Sequence, residues 1–393
     1  MLVGMAAVGL AASTVFLVLT IFAAARFHAD ARRARQNAPK RAALPRVSLL
    51  KPVHGLDARL QENLESFFRQ DYPAYEILFA ADEADDPALA MVREVSAQYP
   101  KIPSRIIVNG RPPWPNPPAW SFHCMTEIAA CDILVTSDSD VEVQPDYLRH
   151  VVAPLLDPKV GMVTCVYRGK NAGGFWSGMD AIGMSVEMTA GVLVANMLEG
   201  MKFGLGPTIA VRKDSLARIG GYQALGEYFA NDFVIGNFIE KAGYKVVLSE
   251  HVIDHVVPPM AFKKMWERQV RWAKSTRYSR PKGHFGTGLI FAVPYGIFAW
   301  LGAAWLGHPG IGASLFGVAI LNRLVECLVI GWGVVRDPRA LRSPWLYPIR
   351  DLLGFVVWCA SYLSRGSVWR DSTYKLLEGG RIVRQTPRGE QPS

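Results

Sequence analysis

The stretch Asp132-Ile-Leu-Val-Thr-Ser-Asp138-Ser-Asp140-Val-Glu142-Val decides the fold class. Its apolar part, Ile133 to Val135, reads as a short buried strand. The strand runs straight into a turn crowded with carboxylates, for which a buried strand has no use. Asp138 and Asp140 lie two residues apart, so on an extended chain they point the same way. Two like charges on one side repel unless a cation sits between them. Hard oxygen ligands of this kind suit Mg²⁺ or Mn²⁺, held jointly with the phosphates of a substrate. The place fits as well, because open α/β sheets bind ligands beyond the carboxyl ends of their strands. A D-x-D alone equally describes a solvated turn, so the surrounding chain has to decide.

Working outward, residues 46–255 alternate strand-like and helix-like segments. Strands are expected at 47–53, 75–81, 106–108, 132–137, 160–166 and 204–212, and helices at 58–70, 87–98, 119–130, 213–219 and 231–241. This alternation predicts an α/β domain with a mainly parallel sheet and helices on both faces. Two of its strands, 75–81 and 132–137, end in carboxylates, which places a site on one rim of the sheet. Asn231-Asp232 opens a helix, and its plain reading is an N-cap.

The ends of the chain differ in character. Half of all residues are hydrophobic, and the long apolar runs lie near the two termini. Residues 2–25 carry no charge and exceed the about 20 residues that cross a bilayer. Arg26, Arg32, Arg33 and Arg35 follow rather than precede the run. A signal peptide has the opposite flanks, so this is an anchor (1–27) with its C-terminal side in the cytoplasm. Residues 258–280 interleave basic and aromatic side chains, as a helix in the membrane interface does. Runs at 286–307, 310–335 and 345–365 are further membrane candidates, within a C-terminal region of 285–366 and before a tail of 367–393. Arg323 and Glu326 stand three apart on one helical face and can pair. The net charge of +9 therefore belongs with anionic lipid, and no nucleic-acid module is present. The five cysteines show neither metal nor disulfide spacing, which suits a reducing compartment. The chain reads as a multi-pass integral membrane protein with its catalytic domain, 46–255, in the cytoplasm and interfacial helices at 256–284.

A carboxylate-lined strand rim beside a membrane fits the transfer of a sugar from a nucleotide donor to a lipid hydroxyl. The leaving diphosphate needs a cation, and the weakly nucleophilic hydroxyl needs a positioned base. Asp232, held at a helix start, meets the second need.

From about residue 46 to 380 the chain resembles the ceramide glucosyltransferase family and the related bacterial hopanoid-biosynthesis glycosyltransferases. The resemblance rests on Ser48-Leu-Leu-Lys-Pro52, Asn63-Leu-Glu-Ser-Phe-Phe with Asp71-Tyr-Pro, Asp85-Asp86-Pro87-Ala, Asp138-Ser-Asp140, Gly220-Gly221-Tyr, Asn231-Asp232-Phe, Arg268-Gln-Val-Arg271-Trp272, and Arg350-Asp351-Leu-Leu with Val368-Trp369-Arg370. It implies a GT-A fold and an inverting transfer of a glucose or N-acetylglucosamine type sugar from a UDP-sugar to a ceramide- or hopanoid-like acceptor. It also implies roles. Asp86 holds the nucleotide base, with Pro52 beside the donor. Asp138 and Asp140 hold the metal and diphosphate. Asp232 is the general base, and Arg268, Arg271 and Trp272 line the acceptor mouth and contact the diphosphate. The chain departs from the family pattern at three places. Asn231 replaces an acidic residue, Asn116-Pro-Pro-Ala-Trp120-Ser lacks a lysine, and Val186-Glu187-Met188 stands where animal enzymes place a histidine. Two other readings stand beside this one: a processive polysaccharide synthase, and a nucleotide-sugar binding membrane protein with impaired catalysis.

Overall fold

The computed structural model describes residues 2–363, 366–369 and 372–385. Arg370 of the C-terminal motif and the end of the expected tail, 386–393, lie outside the described residues.

Eight strands build the main sheet: β1 (Val47–Pro52), β2 (Tyr75–Ala81), β3 (Ser104–Val108), β4 (Ile133–Thr136), β5 (Val141–Glu142), β6 (Val160–Asn171), β7 (Ile209–Arg212) and β8 (Lys245–Val257). Their order is β3-β2-β1-β4-β7-β6-β8-β5. The pairs among β1 to β4 and the β6–β8 pair run parallel, while β7 runs antiparallel to both β4 and β6, and β5 antiparallel to β8. A small antiparallel sheet follows at the C-terminal end: β9 (Gly366–Trp369), β10 (Ser372–Leu376) and β11 (Ile382–Gln385).

Both faces of the main sheet are covered, as a largely parallel sheet requires. One face carries Leu49, Ile77, Phe79 and Val135 against the helices Leu60–Phe68 and Pro87–Gln98. The other carries Leu50, Leu78, Leu134 and Met162 against the helices Pro117–Ile128 and Asn231–Lys241. This second core does not stop at the sheet. It continues through Val186 and Leu193 to Ala23 and Phe27 of the first helix, and to Ile330 and Val334 near the C-terminal end.

Helix and strand bounds follow the sequence closely at Tyr75–Ala81, Pro87–Gln98 and Asn231–Lys241. The strand expected at 204–212 shrinks to β7, because Gly204-Leu-Gly-Pro instead packs on the start of the Asn231–Lys241 helix. The strand expected at 160–166 extends to Asn171. Its polar end is matched across strands, with Arg168 on Asp254 at 2.6 Å and Lys170 on Glu142 at 2.6 Å. β8 has no counterpart among the expected strands. Its register slips between Cys165 opposite Ser249 and Val166 opposite Val252, so Glu250 and His251 bulge out of the ladder and break the alternation.

Among the described residues, three helices are long and apolar enough to cross a membrane: Val3–Gln36, Phe175–Glu199 and Pro309–Val334; a bent pair, Pro281–Ile290 with Val293–Trp305, adds a fourth if it counts as one span. The pair bends by 52°. The bend exposes two N–H groups, and Asp351 takes both, from Ala292 at 3.0 Å and Val293 at 2.8 Å. Asp351 also faces Arg323 at 3.3 Å, and Arg323 meets Glu326 at 2.7 Å, the pairing anticipated from their spacing. The segment expected at 345–365 is a 15-residue helix, Leu346–Ala360, shorter than a perpendicular crossing takes. Arg350 and Asp351 are buried in it.

The bulge in β8 generates a pH-dependent contact. His150 places Nδ1 at 2.7 Å from Glu250 and Nε2 at 3.1 Å from Asp146, and its ring stacks on His251 at 4.9 Å. The hydrogen bond from Glu250 chiefly raises the pKa of His150, whereas burial beside His150 lowers that of His251 to about 4. A raised folded pKa means that the His150 contribution is complete below its unfolded value and fades as pH rises through the folded one. His251 acts on the other side, costing stability only as pH falls below about 6.5. We therefore expect the melting-temperature gap between wild type and His150→Gln to shrink as pH rises from about 6.5 into the alkaline range. A gap that is constant over that range removes the charged His150 bridge.

Candidate active site

The turn after β4 is clamped by its own main chain. Three successive carbonyls each have a fixed donor: Asp138 from Lys51 Nζ at 2.6 Å, Ser139 from Asn63 Nδ2 at 3.1 Å, and Asp140 from the Val256 N–H at 2.7 Å. Ser139 Oγ also bonds Asp57. With the backbone so held, the carboxylates of Asp138 and Asp140 face a cavity of about 1030 Å³. Lys51 is fully buried, with Nζ 3.7 Å above the Phe67 ring, and burial lowers its pKa to about 7 despite the nearby carboxylates.

Burial raises the pKa of Asp138 to about 8, and Asp140 pushes it the same way. Asp57 is raised mainly by burial too. Asp140 Oδ2 lies 3.3 Å from His255 Nε2, while its Oδ1 is buried without a partner. A carboxylate cluster with an unused buried oxygen is what a cation site requires. Asp146, His150 and His251 also bring donor atoms within 4.8 Å of one another. Both nitrogens of His150 already meet carboxylates there, and the group is not part of the cavity wall.

Asp232 enters the cavity from the first turn of the Asn231–Lys241 helix. The helix is capped by neither Asn231 nor Asp232, since Ala230 holds the cap position. Asp232 Oδ2 instead accepts the Gly206 N–H at 2.9 Å, and the Asp232 carbonyl accepts that of Gly204 at 3.0 Å. A Cβ at Gly206 would stand 3.1 Å from Asp232 Oδ2, so glycine there admits the approach. Burial raises the pKa of Asp232, and its backbone hydrogen bonds only partly offset this. Such a carboxylate is more basic than a solvated one.

Arg268, Arg271 and Trp272 all line the cavity from the Phe262–Ser279 helix. The Arg268 guanidinium lies 4.5 Å from the Trp272 ring and 3.1 Å from His255 Nε2. Burial, and then Arg268, lower the pKa of Arg271 to about 10, so a half-buried cationic pair faces the space. Pro52 lines the same space. Asp86 does not: it caps the Pro87–Gln98 helix through the Ala88 N–H at 2.8 Å and accepts the Gly55 N–H at 2.9 Å. The wall residue near it is Asp82, whose carboxylate takes Asn109 Nδ2 at 3.0 Å. Asn116, where the family lysine motif is broken, caps its helix through Ala119 and donates to the Tyr228 carbonyl at 2.7 Å.

Much of the rest of the wall is apolar. Phe16 of the first helix, Val192 and Leu198, Ile290, and Val357 with Trp358 all contribute. Carboxylates and lipid-like surface thus share one cavity. Lys51, Asp57, His255 and Gln269 were not among the expected site residues. Lys51 carried the one available signal, a lysine inside an otherwise apolar strand.

The chain matches the model of Glycosyl transferase family 21 over residues 10–382. Ceramide glucosyltransferase 1 of Caenorhabditis elegans is 26% identical over 344 residues, covering 86% of this chain and 73% of the nematode protein. Ceramide glucosyltransferase 3 of the same organism is 24% identical over 350 residues, covering 86% and 74%. Among solved structures, the mannosyltransferase PcManGT from Pyrobaculum calidifontis, in complex with GDP-Man and Mn²⁺, aligns with a TM-score of 0.54 at 19% identity, covering 90% of this chain and 99% of that one. At that identity the likeness concerns the fold, which is of the GT-A type. With a family match that spans nearly the whole chain, the protein belongs to glycosyl transferase family 21 and is a glycosyltransferase.

Proposed function

We propose that the chain is a membrane-bound inverting transferase that moves a sugar, of the glucose or N-acetylglucosamine type, from a UDP-sugar to a lipid hydroxyl. The observation that carries this reading is the single cavity whose one half is lined by Asp138, Asp140 and Asp232 and whose other half is apolar and set among helices of membrane-spanning length. The names of the nematode relatives support a lipid acceptor of ceramide type, and a hopanoid-like one has the same needs. A water-soluble acceptor has no use for the apolar half.

The chemistry follows from the residues. The acceptor oxygen attacks the anomeric carbon while its proton passes to Asp232. The bond from that carbon to the diphosphate oxygen breaks, and UDP leaves. Attack from the face opposite the diphosphate inverts the anomeric centre. Arg268 and Arg271 face the charge that develops on the leaving group. Asp138 and Asp140 would hold Mg²⁺ or Mn²⁺, and the chemistry such an ion would supply is neutralisation of charge on the diphosphate. The unpartnered Oδ1 of Asp140 is the oxygen available to it. Asp82 reaches the donor directly from the wall, while Asp86 acts behind it by fixing the loop at Gly55.

Three outcomes follow. Excess chelator abolishes sugar transfer by the purified chain, and Mn²⁺ or Mg²⁺ restores it; full turnover in chelator removes Asp138 and Asp140 from metal binding. Asp232→Asn keeps the Gly206 contact and leaves UDP affinity unchanged, yet slows transfer at saturating donor by roughly 10²- to 10⁴-fold, the usual worth of a general base. Near wild-type turnover in that variant leaves Asp232 a structural residue. Asp86→Ala costs about 1 kcal/mol of stability as a lost helix cap and raises donor KM with little change in kcat. A collapse of kcat alone would place Asp86 beside the reacting bond.

A further inference from the structure

Away from the carboxylate rim the cavity wall carries two charged pairs that the transfer chemistry does not use, the largely exposed Arg280–Glu199 pair and the more buried Arg350–Glu187 pair. Arg350 sits on the wall with a side chain only 4% exposed, and its Nη2 lies 3.0 Å from Glu187 Oε2. The same nitrogen donates to Gln269 Oε1 at 2.9 Å. Its other two nitrogens, Nε and Nη1, are buried without a hydrogen-bond partner. A buried N–H left unpaired is costly, and guanidinium donors in an apolar wall are complementary to an oxygen acceptor that enters the cavity. Two glycines pack directly on the guanidinium, leaving it no side chain as a partner there. A Cβ on Gly183 would fall 2.5 Å from Nε, and one on Gly354 2.9 Å from Nη1. Both glycines belong to the cavity wall.

Glu187 reaches this place through a local change in helix geometry. The segment Gly183–Met188 is π-helical within a run that is α-helical on both sides. Such insertions are frequent at functional sites because they re-aim side chains. The Glu187 side chain is 27% exposed and lines the cavity.

The pair is wired to the donor side. From Arg350 the contacts run to Gln269, then to Asp180, which Gln269 Nε2 bonds and Arg268 Nε approaches at 3.5 Å. Arg268 then meets His255 at 3.1 Å, and His255 meets Asp140 at 3.3 Å. One polar chain thus crosses from the apolar half to the carboxylate rim.

We propose that Arg350 and Glu187 form the acceptor head-group site: it takes a lipid alcohol that carries a hydrogen-bonding oxygen and an N–H or second O–H beside its reacting hydroxyl. The oxygen accepts from Arg350, and the N–H or O–H donates to Glu187. This assignment rests on the lipid-transfer reading. It distinguishes such an acceptor from a plain long-chain alcohol, which leaves the Arg350 donors unpaired.

The test uses the full chain in detergent–lipid micelles with a UDP-sugar and two acceptors: a long-chain alcohol bearing an amide on the neighbouring carbon, and the same alcohol without it. Wild type prefers the amide by roughly 10- to 100-fold in kcat/KM, as hydrogen bonds to charged groups allow. Glu187→Gln and Arg350→Lys each compress that ratio by roughly 10-fold, mainly through acceptor KM, with UDP binding unchanged. Variants that retain the wild-type ratio, or a wild type that treats both acceptors alike, overturn the head-group site and leave lipid transfer intact. A wild type that glycosylates neither lipid overturns the transfer reading and this site with it. Glu187→Gln is isosteric and decides the matter where Arg350→Lys does not fold.

Discussion

Everything at the strand rim depends on how the chain restrains the turn at Asp138–Asp140. Carboxylates this close to one another repel, and a free turn would relieve the repulsion by swinging them into water. The molecule prevents this through the backbone rather than through the carboxylates. Lys51, Asn63 and the Val256 N–H each take one carbonyl of the turn. These three donors come from β1, from the helix that follows it, and from β8, so strands distant in sequence must pair before the turn is set. Lys51 is the most telling of the three. A lysine in that place is unfavourable for the strand alone, and burial lowers its pKa.

The same logic extends toward the membrane-like helices. There the buried charges do not stand alone but in linked sets. Arg323, Glu326 and Asp351 tie two helices together, and Asp351 also satisfies the main chain where the Pro281–Ile290 and Val293–Trp305 helices bend. Breaking such a set by removing one partner leaves an uncompensated charge in an apolar interior. The bend is therefore fixed by a side chain from a different helix, not by Pro294 alone.

Much of this was legible in the sequence because it rests on local pattern. The strand 75–81, the helices from Pro87 and Asn231, the carboxylate turn and the Arg323–Glu326 pair all follow from residue periodicity and spacing. What escaped depends on contacts between distant segments. β8 was hidden by its bulge, which inserts Glu250 and His251 and destroys the alternation. His255, two residues from the end of that strand, was hidden with it. Gln269 occupies an unspecified position of the Arg268–Trp272 motif, and only the fold brings it to Asp180 and Arg350. Asp86 shows the converse. Its motif was visible, but local sequence did not reveal that its carboxylate is spent on capping a helix and holding Gly55.

The apolar wall formed by Phe16, Val192, Leu198 and Trp358 bears on how turnover is to be counted. On the proposed lipid-transfer reading, a lipid acceptor would reach this wall by sliding sideways within its leaflet and need never dissolve in water. Its availability is then set by its mole fraction among neighbouring lipids, not by its molarity in the tube. Diluting the same quantity of acceptor with inert lipid would slow the enzyme, whereas adding buffer would not. The water-soluble nucleotide sugar obeys ordinary three-dimensional concentration at the other end of the same cavity. On that reading one catalytic centre would answer to two different scales of dilution.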